Sequence, residues 1–131
     1  AAAQQNVIQA VIADAPYYTT AQDLPPADNL LEWLSLPMYH LLIQLMEWKS
    51  GASAPQPLEA AVTQIAPRPL LLISAGLDFE QRLAENYYNL AGEPKEHWNI
   101  PEAGHCGGPK ARPQEYETRI VEFFNAALLG R

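Results

Sequence analysis

The sequence predicts an α/β fold whose core is a three-stranded parallel sheet with flanking helices. Two apolar runs, Val7–Ala13 and Leu70–Ser74, have the continuous hydrophobic character of parallel strands that are buried on both faces. A third, less apolar strand is predicted over Lys95–Ile100. Helical segments alternate with these strands, and strands that are separated by helices pair in parallel through right-handed crossovers.

Helices are predicted from apolar residues that recur at helical spacing. In chain order they are Leu30–Trp48, Leu58–Ile65, Glu80–Ala91 and Gln114–Leu129. Asp28 or Asn29 provides a cap for the first of these segments. Because Pro37 lacks a backbone N–H and clashes with the preceding turn, this segment is predicted as two short amphipathic helices.

Composition excludes several functions. The net charge of -7 and the pI near 4.8 argue against a nucleic-acid partner and against an anionic membrane surface. The segment Leu30–Trp48 is apolar, but its proline and its regularly placed polar residues argue against a membrane span. A membrane-associated role for this segment is the weakest hypothesis that we carry.

Cysteine and histidine usage bounds the chemistry further. A single cysteine, Cys106, permits no intrachain disulfide and no cysteine-based zinc site, and it fits a reducing compartment such as the cytoplasm. The three histidines, His40, His97 and His105, show no metal-ligand spacing. The sequence therefore predicts neither a metal nor a cofactor.

Three polar residues follow the predicted strands: Asp14, Asp78 and His105. Ligands of open parallel sheets bind just beyond the carboxyl ends of the strands. Because neighbouring strand ends lie together, we expect Asp78 and His105 to meet there, 27 positions apart in the chain. A carboxylate bound to an imidazole fixes its tautomer and stabilises the imidazolium that forms during base catalysis.

At this point the chain resembles the C-terminal half of an α/β-hydrolase. The residues that carry the resemblance are Ile65-Ala66-Pro67-Arg68-Pro69-Leu70-Leu71-Leu72-Ile73, then Gly76-Leu77-Asp78, then Pro101-Glu102-Ala103-Gly104-His105 before a last helix. These motifs are similar to those of dienelactone-hydrolase-like and acyl-peptidase-like members. The resemblance implies that residues 1–131 form the C-terminal portion of one such domain, with a lid-like helical insertion at 28–50. It also implies Asp78 as the triad acid and His105 as the general base.

The expected nucleophile is missing from this pattern. The family carries its serine in Gly-x-Ser-x-Gly on a strand-to-helix turn. The serines of this chain occupy no such motif; they are Ser35, Ser50, Ser53 and Ser74. By the family's order of elements, the serine and its oxyanion-hole amides belong upstream of Ala1, so the isolated chain is predicted to be inactive.

Each candidate residue also has a simpler interpretation. Aspartate is common in turns and helix caps, which is the simpler interpretation of Asp78. For His105 the simpler interpretation is an ordinary loop histidine. Asp14 is predicted as a structural loop or capping residue. Cys106, beside His105, is a poor nucleophile because neighbouring loop residues rarely point the same way. An aromatic group could line an acyl pocket but is more typical of packing; it comprises Tyr17, Tyr18, Trp33, Tyr39 and Trp48.

Two functional hypotheses follow. In the first, the chain is part of a serine hydrolase of carboxylic esters or similar acyl bonds, acting on a small-molecule substrate together with an N-terminal half. In the second, it is a non-catalytic α/β module that self-associates, because the apolar strand Val7–Ala13 forms an open sheet edge that a second copy could cover.

Overall fold

The computed structural model describes residues 7–17, 20, 23, 27, 29–51 and 55–130, and it shows an α/β fold with a three-stranded parallel sheet. The strands are β1 (Val11–Asp14), β2 (Leu70–Ala75) and β3 (Lys95–Ile100). The helices are α1 (Leu30–Ser50), α2 (Leu58–Val62), α3 (Asp78–Leu90), α4 (Gly108–Ala111) and α5 (Pro113–Leu129).

The sheet has the order β1-β2-β3, and both pairings are parallel. Leu72 of β2 lies between Ala13 and His97, which fixes the register of the three strands. The predicted parallel sheet is thus confirmed. The first strand begins at Val11 and not at Val7. The Val11 N–H donates at 2.9 Å to the carbonyl of Pro69, the residue just before β2, so β2 offers no partner to the residues that precede Val11.

The chain divides into two compact units. One unit joins residues 1–17 to residues 61–131, and it contains the sheet and helices α3 to α5. The other covers residues 18–60 and contains α1. In the second unit, the buried carboxylate of Asp23 accepts hydrogen bonds from the backbone and hydroxyl of Thr20, and from the Glu59 N–H in the first turn of α2.

The core of the first unit is centred on β2, whose six residues are all buried. Side chains alternate between the faces of a strand, so Leu71, Ile73 and Ala75 share one face. They form an apolar cluster with Trp98, Ile100, Ala103 and Phe123. Phe123 belongs to α5, which therefore covers this face of the sheet.

The opposite face is covered by α3, which packs on β2 and β3. The buried residues of α3 are Glu80, Leu83, Ala84 and Tyr87. Their spacing of three, one and three positions is that of a single helix face. Lys95, the first residue of β3, lies at the C-terminal end of α3, where the helix dipole favours a cation; its Nζ donates to the carbonyls of Tyr88 and Ala91 at 2.8 Å each.

Helix α1 is continuous, so the predicted break near Pro37 is wrong. Pro37 lies inside a 21-residue helix, where leucine and methionine residues of high helix propensity support the turns on either side. The predicted cap is confirmed at Asn29, whose Oδ1 accepts from the Glu32 N–H at 2.9 Å; Asp28, the alternative cap, lies outside the described residues. None of the residues of α1 is buried.

In the described part of the chain, no helix combines the length and the apolar character that crossing a membrane requires.

Candidate active site

The loops that follow β2 and β3 touch each other at the carboxyl edge of the sheet. The Gly76 N–H donates to the Ala103 carbonyl at 3.0 Å, and the Ala103 N–H donates to the Ile100 carbonyl at 3.0 Å. A Cβ on Gly76 would lie only 1.7 Å from the carbonyl oxygen of Pro101, so no side chain fits there. The segment after β2 and the loop that carries His105 are therefore held against each other, as the order of the strands predicted.

A carboxylate and an imidazole meet at this edge. Glu80 Oε1 lies within hydrogen-bond distance of His105 Nδ1. Because a carboxylate has no proton to donate, the Nδ1–H is the donor of this bond. The side chain of Glu80 is 2% exposed and that of His105 is 54% exposed. A buried acid thus holds one edge of a ring that is otherwise open to solvent.

The acid that contacts His105 is Glu80, not Asp78 as we expected from the sequence. Asp78 is the exposed first residue of α3. Each residue turns an α-helix by about 100°, so Glu80 lies on a different face, the one that packs on the sheet. Asp78 occupies the first turn, where an acidic side chain is favoured by the helix dipole. The N-cap position belongs to Leu77, so Asp78 is a first-turn residue of α3 and not its cap.

Sequence reasoning missed Glu80, although a signal for it existed. Glu80 precedes Leu83, Ala84 and Tyr87 by three, four and seven positions, so it belongs to the apolar stripe of α3. A carboxylate on such a stripe is costly to bury unless it finds a partner. The position of Glu80 on this stripe therefore predicts a polar partner for its carboxylate among the residues at the strand ends.

An aromatic pair lies next to the imidazole. The ring of Tyr17, which follows β1, is edge-on to His105 with centroids 6.1 Å apart. The same ring is edge-on to Phe79 at the start of α3, at 5.2 Å. Tyr17, a member of the aromatic group that the sequence favoured for packing over an acyl pocket, therefore lies beside the candidate site. Tyr18, another member of that predicted group, lies outside the described residues.

The loop that carries His105 is fixed at both of its ends. Arg112, just before α5, pairs through Nε and Nη2 with the carboxylate of Glu102. The guanidinium of Arg112 holds the pKa of Glu102 below its ordinary value. Further along the loop, a Cβ on Gly108 would come within 2.9 Å of Ile100 and of the Tyr116 ring, so the backbone packs directly on both.

Asp14 is bound to the last helix. The Tyr116 hydroxyl donates to Asp14 Oδ2 at 2.9 Å. Burial, together with this hydrogen bond and the charge of Asp14, raises the pKa of Tyr116 to about 12. Asp14 thus ties the end of β1 to α5, which agrees with the structural role that the sequence favoured for it.

Cys106 does not have the environment of a nucleophile. Partial desolvation and the negative charges of Asp14 and Glu80 raise the pKa of its thiol. A cysteine nucleophile needs the opposite, a lowered pKa in a positively charged environment. The exposed thiol of Cys106 is therefore a poor substitute for a serine.

A second polar cluster, which the sequence did not predict, lies beneath α3. Ser74 Oγ donates to Asn99 Oδ1 at 3.0 Å, so the contact of 2.9 Å between Ser74 Oγ and His97 Nε2 has the imidazole N–H as donor. His97 is half-buried beside Tyr88 of α3. Ser74 is 1% exposed, so this serine–histidine pair has no access to a substrate.

This cluster predicts a pH dependence of stability. Burial lowers the pKa of His97 below its ordinary value of 6.5, against an opposing effect of Glu85. As the pH falls below 6.5, the unfolded state therefore takes up a proton before the native state does, and stability is lost. We expect the free energy of unfolding, measured by urea titration, to fall less steeply below this pH in His97→Gln than in the wild type. His40→Gln, on the exposed helix α1, is the matched control; an equally shallow slope in that variant would contradict the role of His97.

None of the described serines is a nucleophile for His105. Ser35 and Ser50 donate to backbone carbonyls of their own helix, those of Glu32 and Glu47. The hydroxyl of Ser74 donates to Asn99 in the cluster beneath α3, and Ser53 lies outside the described residues. Within the described ranges there is also no group of three or more histidine, cysteine, aspartate or glutamate side chains that could hold a metal ion.

Together, the fold and the site define a parallel α/β domain with a carboxylate–imidazole pair at the carboxyl edge of its sheet. Comparison with protein-family models, with curated proteins and with solved structures finds no match for this chain.

Proposed function

We propose that this chain is the C-terminal part of a serine hydrolase with the α/β-hydrolase fold, acting on carboxylic esters or similar acyl bonds of small molecules. The observation that carries the proposal is the contact between buried Glu80 and half-exposed His105. The position of this pair after two neighbouring parallel strands supports it, because that edge is where such sheets bind their ligands.

In this proposal His105 is the general base and Glu80 is the acid that positions it. Glu80 accepts from Nδ1–H, which leaves Nε2 unprotonated and able to take the proton of a serine hydroxyl. The serine oxygen then attacks the carbonyl carbon of the ester, and the imidazolium returns the proton to the departing alkoxide. Water repeats the sequence on the acyl-enzyme and releases the carboxylic acid.

The nucleophile is a serine on a segment that precedes β1. In the α/β-hydrolase order of elements, the Gly-x-Ser-x-Gly turn comes before the strand that β1 resembles, and the acid and the histidine follow it. Helix α3, which follows β2, supplies the acid Glu80, and the loop after β3 supplies His105, in that same order. In the family a lid precedes the acid, and we propose this role for residues 28–50.

The test is ester hydrolysis by a polypeptide that joins this chain to the segment that precedes it. We expect the joined polypeptide to hydrolyse p-nitrophenyl esters, the 131-residue chain alone to be inactive, and His105→Ala to abolish turnover in the joined form. Unchanged turnover in His105→Ala would reject the assignment. Absence of Gly-x-Ser-x-Gly from the preceding segment would reject it as well.

A non-catalytic module that self-associates through its sheet edge is the second candidate. It is favoured by β1, which lies at the edge of the sheet with all four of its residues only partly buried. Strands of this kind are templates for pairing with another chain. A stable monomer of the pure chain in sedimentation would count against this candidate and leave the hydrolase proposal unaffected.

A further inference from the structure

The imidazole of His105 needs more than its contact with Glu80 to stay in place. The ring is half-exposed, and it lies on a loop. One hydrogen bond fixes where Nδ1 lies, but the ring can still pivot about that bond, because the terminal torsion of histidine is soft. A catalytic group has to stay within about 0.5 Å and 10–20° of its working position. A packing contact on the ring would supply the missing restraint.

Tyr17 makes such a contact, and it also touches the helix that carries Glu80. The ring of Tyr17 is inclined by 73° to that of His105, with the centroids 6.1 Å apart. It is inclined by 62° to the ring of Phe79, at 5.2 Å. Both geometries are edge-on arrangements in which aromatic rings attract each other. Phe79 directly precedes Glu80 in α3, so Tyr17 links the loop of the base to the helix of the acid.

The backbone is strained in both segments that bring these rings together. Ala15, two residues before Tyr17, has a φ of 48°, which is uncommon for a residue with a Cβ. Ala15 is buried, and its N–H donates to the Ile73 carbonyl at 2.9 Å, so the sheet holds it in this conformation. Within the described ranges, the other non-glycine residue with a positive φ is Cys106, which follows His105. Strain of this kind is concentrated at functional sites.

Tyr17 is not a residue of the hydrophobic core. Its side chain is nearly half exposed, and the apolar cluster on β2 is formed by other residues. A ring that stays largely in water adds less to the stability of the fold than a buried one. The contacts of Tyr17 therefore restrain the site more than they stabilise the sheet.

We propose that Tyr17 is a positioning residue, whose ring packs against His105 so that Nδ1–H stays on Glu80 and Nε2 stays free to accept a proton. Tyr17 acts through His105 and takes no part in the chemistry itself. Its effect on catalysis rests on the proposed hydrolase function, whereas the restraint on the ring belongs to the 131-residue chain and can be measured there.

The tautomer of His105 in variants of Tyr17 tests the restraint. The readout is the ratio of the Nδ1–H to the Nε2–H form of the neutral ring, from long-range ¹H–¹⁵N correlation spectra. We expect Tyr17→Ala to lower this ratio by about 2- to 12-fold, the range for loss of an edge-on aromatic contact. Tyr17→Phe keeps the ring and should keep the wild-type ratio. Tyr39→Ala removes a tyrosine of equal exposure, 42% against 43%, from α1 and should not change the ratio.

Tyr17→Leu guards against a local loss of folding in Tyr17→Ala. Leucine retains much of the bulk of the side chain without the aromatic ring, so the ratio should fall in this variant too. The backbone amide shifts of α3 and β3 show whether the fold is kept. A wild-type ratio in both Tyr17→Ala and Tyr17→Leu would overturn the proposal. An equal fall in Tyr17→Phe would also overturn it, because the hydroxyl and not the packing of the ring would then be responsible.

Turnover by the joined polypeptide tests the effect on catalysis. Tyr17→Ala should lower kcat for p-nitrophenyl esters by about 2- to 12-fold with little change in KM, and Tyr17→Phe should recover most of the loss. A rise in KM at unchanged kcat would mean that Tyr17 binds the ester, and would overturn the positioning role. A joined polypeptide without any activity would reject the proposed function, while the tautomer ratio would still decide whether Tyr17 restrains His105.

Discussion

Under the proposed hydrolase function, Glu80→Gln is expected to lower kcat for ester hydrolysis by about 10⁴-fold in a polypeptide that joins this chain to the proposed serine, the loss seen when the acid of a triad becomes an amide. Glutamine has the shape of Glu80, but it can offer an N–H to Nδ1. It would then favour the tautomer that places the proton on Nε2, which cannot accept from serine. The measurement is steady-state hydrolysis of p-nitrophenyl esters, in which KM should change little.

Asp78→Asn is the matched control for this experiment. It removes the same charge two positions earlier, from an exposed residue that lies on a different face of α3. We expect its kcat to stay within a few-fold of the wild-type value. The reverse outcome, a large loss for Asp78→Asn and a small one for Glu80→Gln, would return the acid role to Asp78.

Gly76→Ala is expected to lower the free energy of unfolding by at least about 3 kcal/mol, the upper range for an overpacked site. The new Cβ would overlap the Pro101 carbonyl oxygen, which is backbone and cannot turn aside. The two loops would have to separate, which would break the hydrogen bond from the Gly76 N–H to Ala103. Chemical unfolding of the purified variant measures the effect.

Gly104→Ala controls for the general cost of replacing a loop glycine. A Cβ at this position meets nothing within 4 Å, so the change should stay within about 0.5 kcal/mol. Because Gly76→Ala pushes the loop of His105 away from β2, it should also lower activity in the joined polypeptide. Equal stabilities of the two variants would contradict the close approach of the two loops.

The parallel sheet could be predicted because its strands are buried from both sides. The run Leu70–Ser74 is apolar at nearly every position, and the structure buries all of β2. The alternation of strands and helices also predicted that His105 lies at the carboxyl edge of the sheet. The N-terminal limit of β1 could not be predicted, because Val7–Ala10 is as apolar as the strand itself and only the length of β2 limits the ladder.

The identity of the acid depended on the phase of one helix. The sequence predicted that this helix begins at Glu80, which would make Asp78 a loop residue whose carboxylate is free to contact His105. With the helix beginning at Asp78, the carboxylate that faces the sheet is that of Glu80. The continuity of α1 does not follow from Pro37 alone, because the high helix propensity of the neighbouring leucine and methionine residues supports the turns on either side. The contact between Ser74 and His97 depends on strand register, which composition does not show.

The most direct measurement of the Glu80–His105 pair is the protonation of the two ring nitrogens of His105, read from long-range ¹H–¹⁵N correlation spectra of the labelled chain. This measurement needs neither the serine nor a substrate. The neutral ring should carry its proton on Nδ1 in the wild type and in Asp78→Asn, and should lose this preference in Glu80→Gln. A proton on Nε2 in the wild type, or the same spectrum in Glu80→Gln, would contradict the proposed role of Glu80.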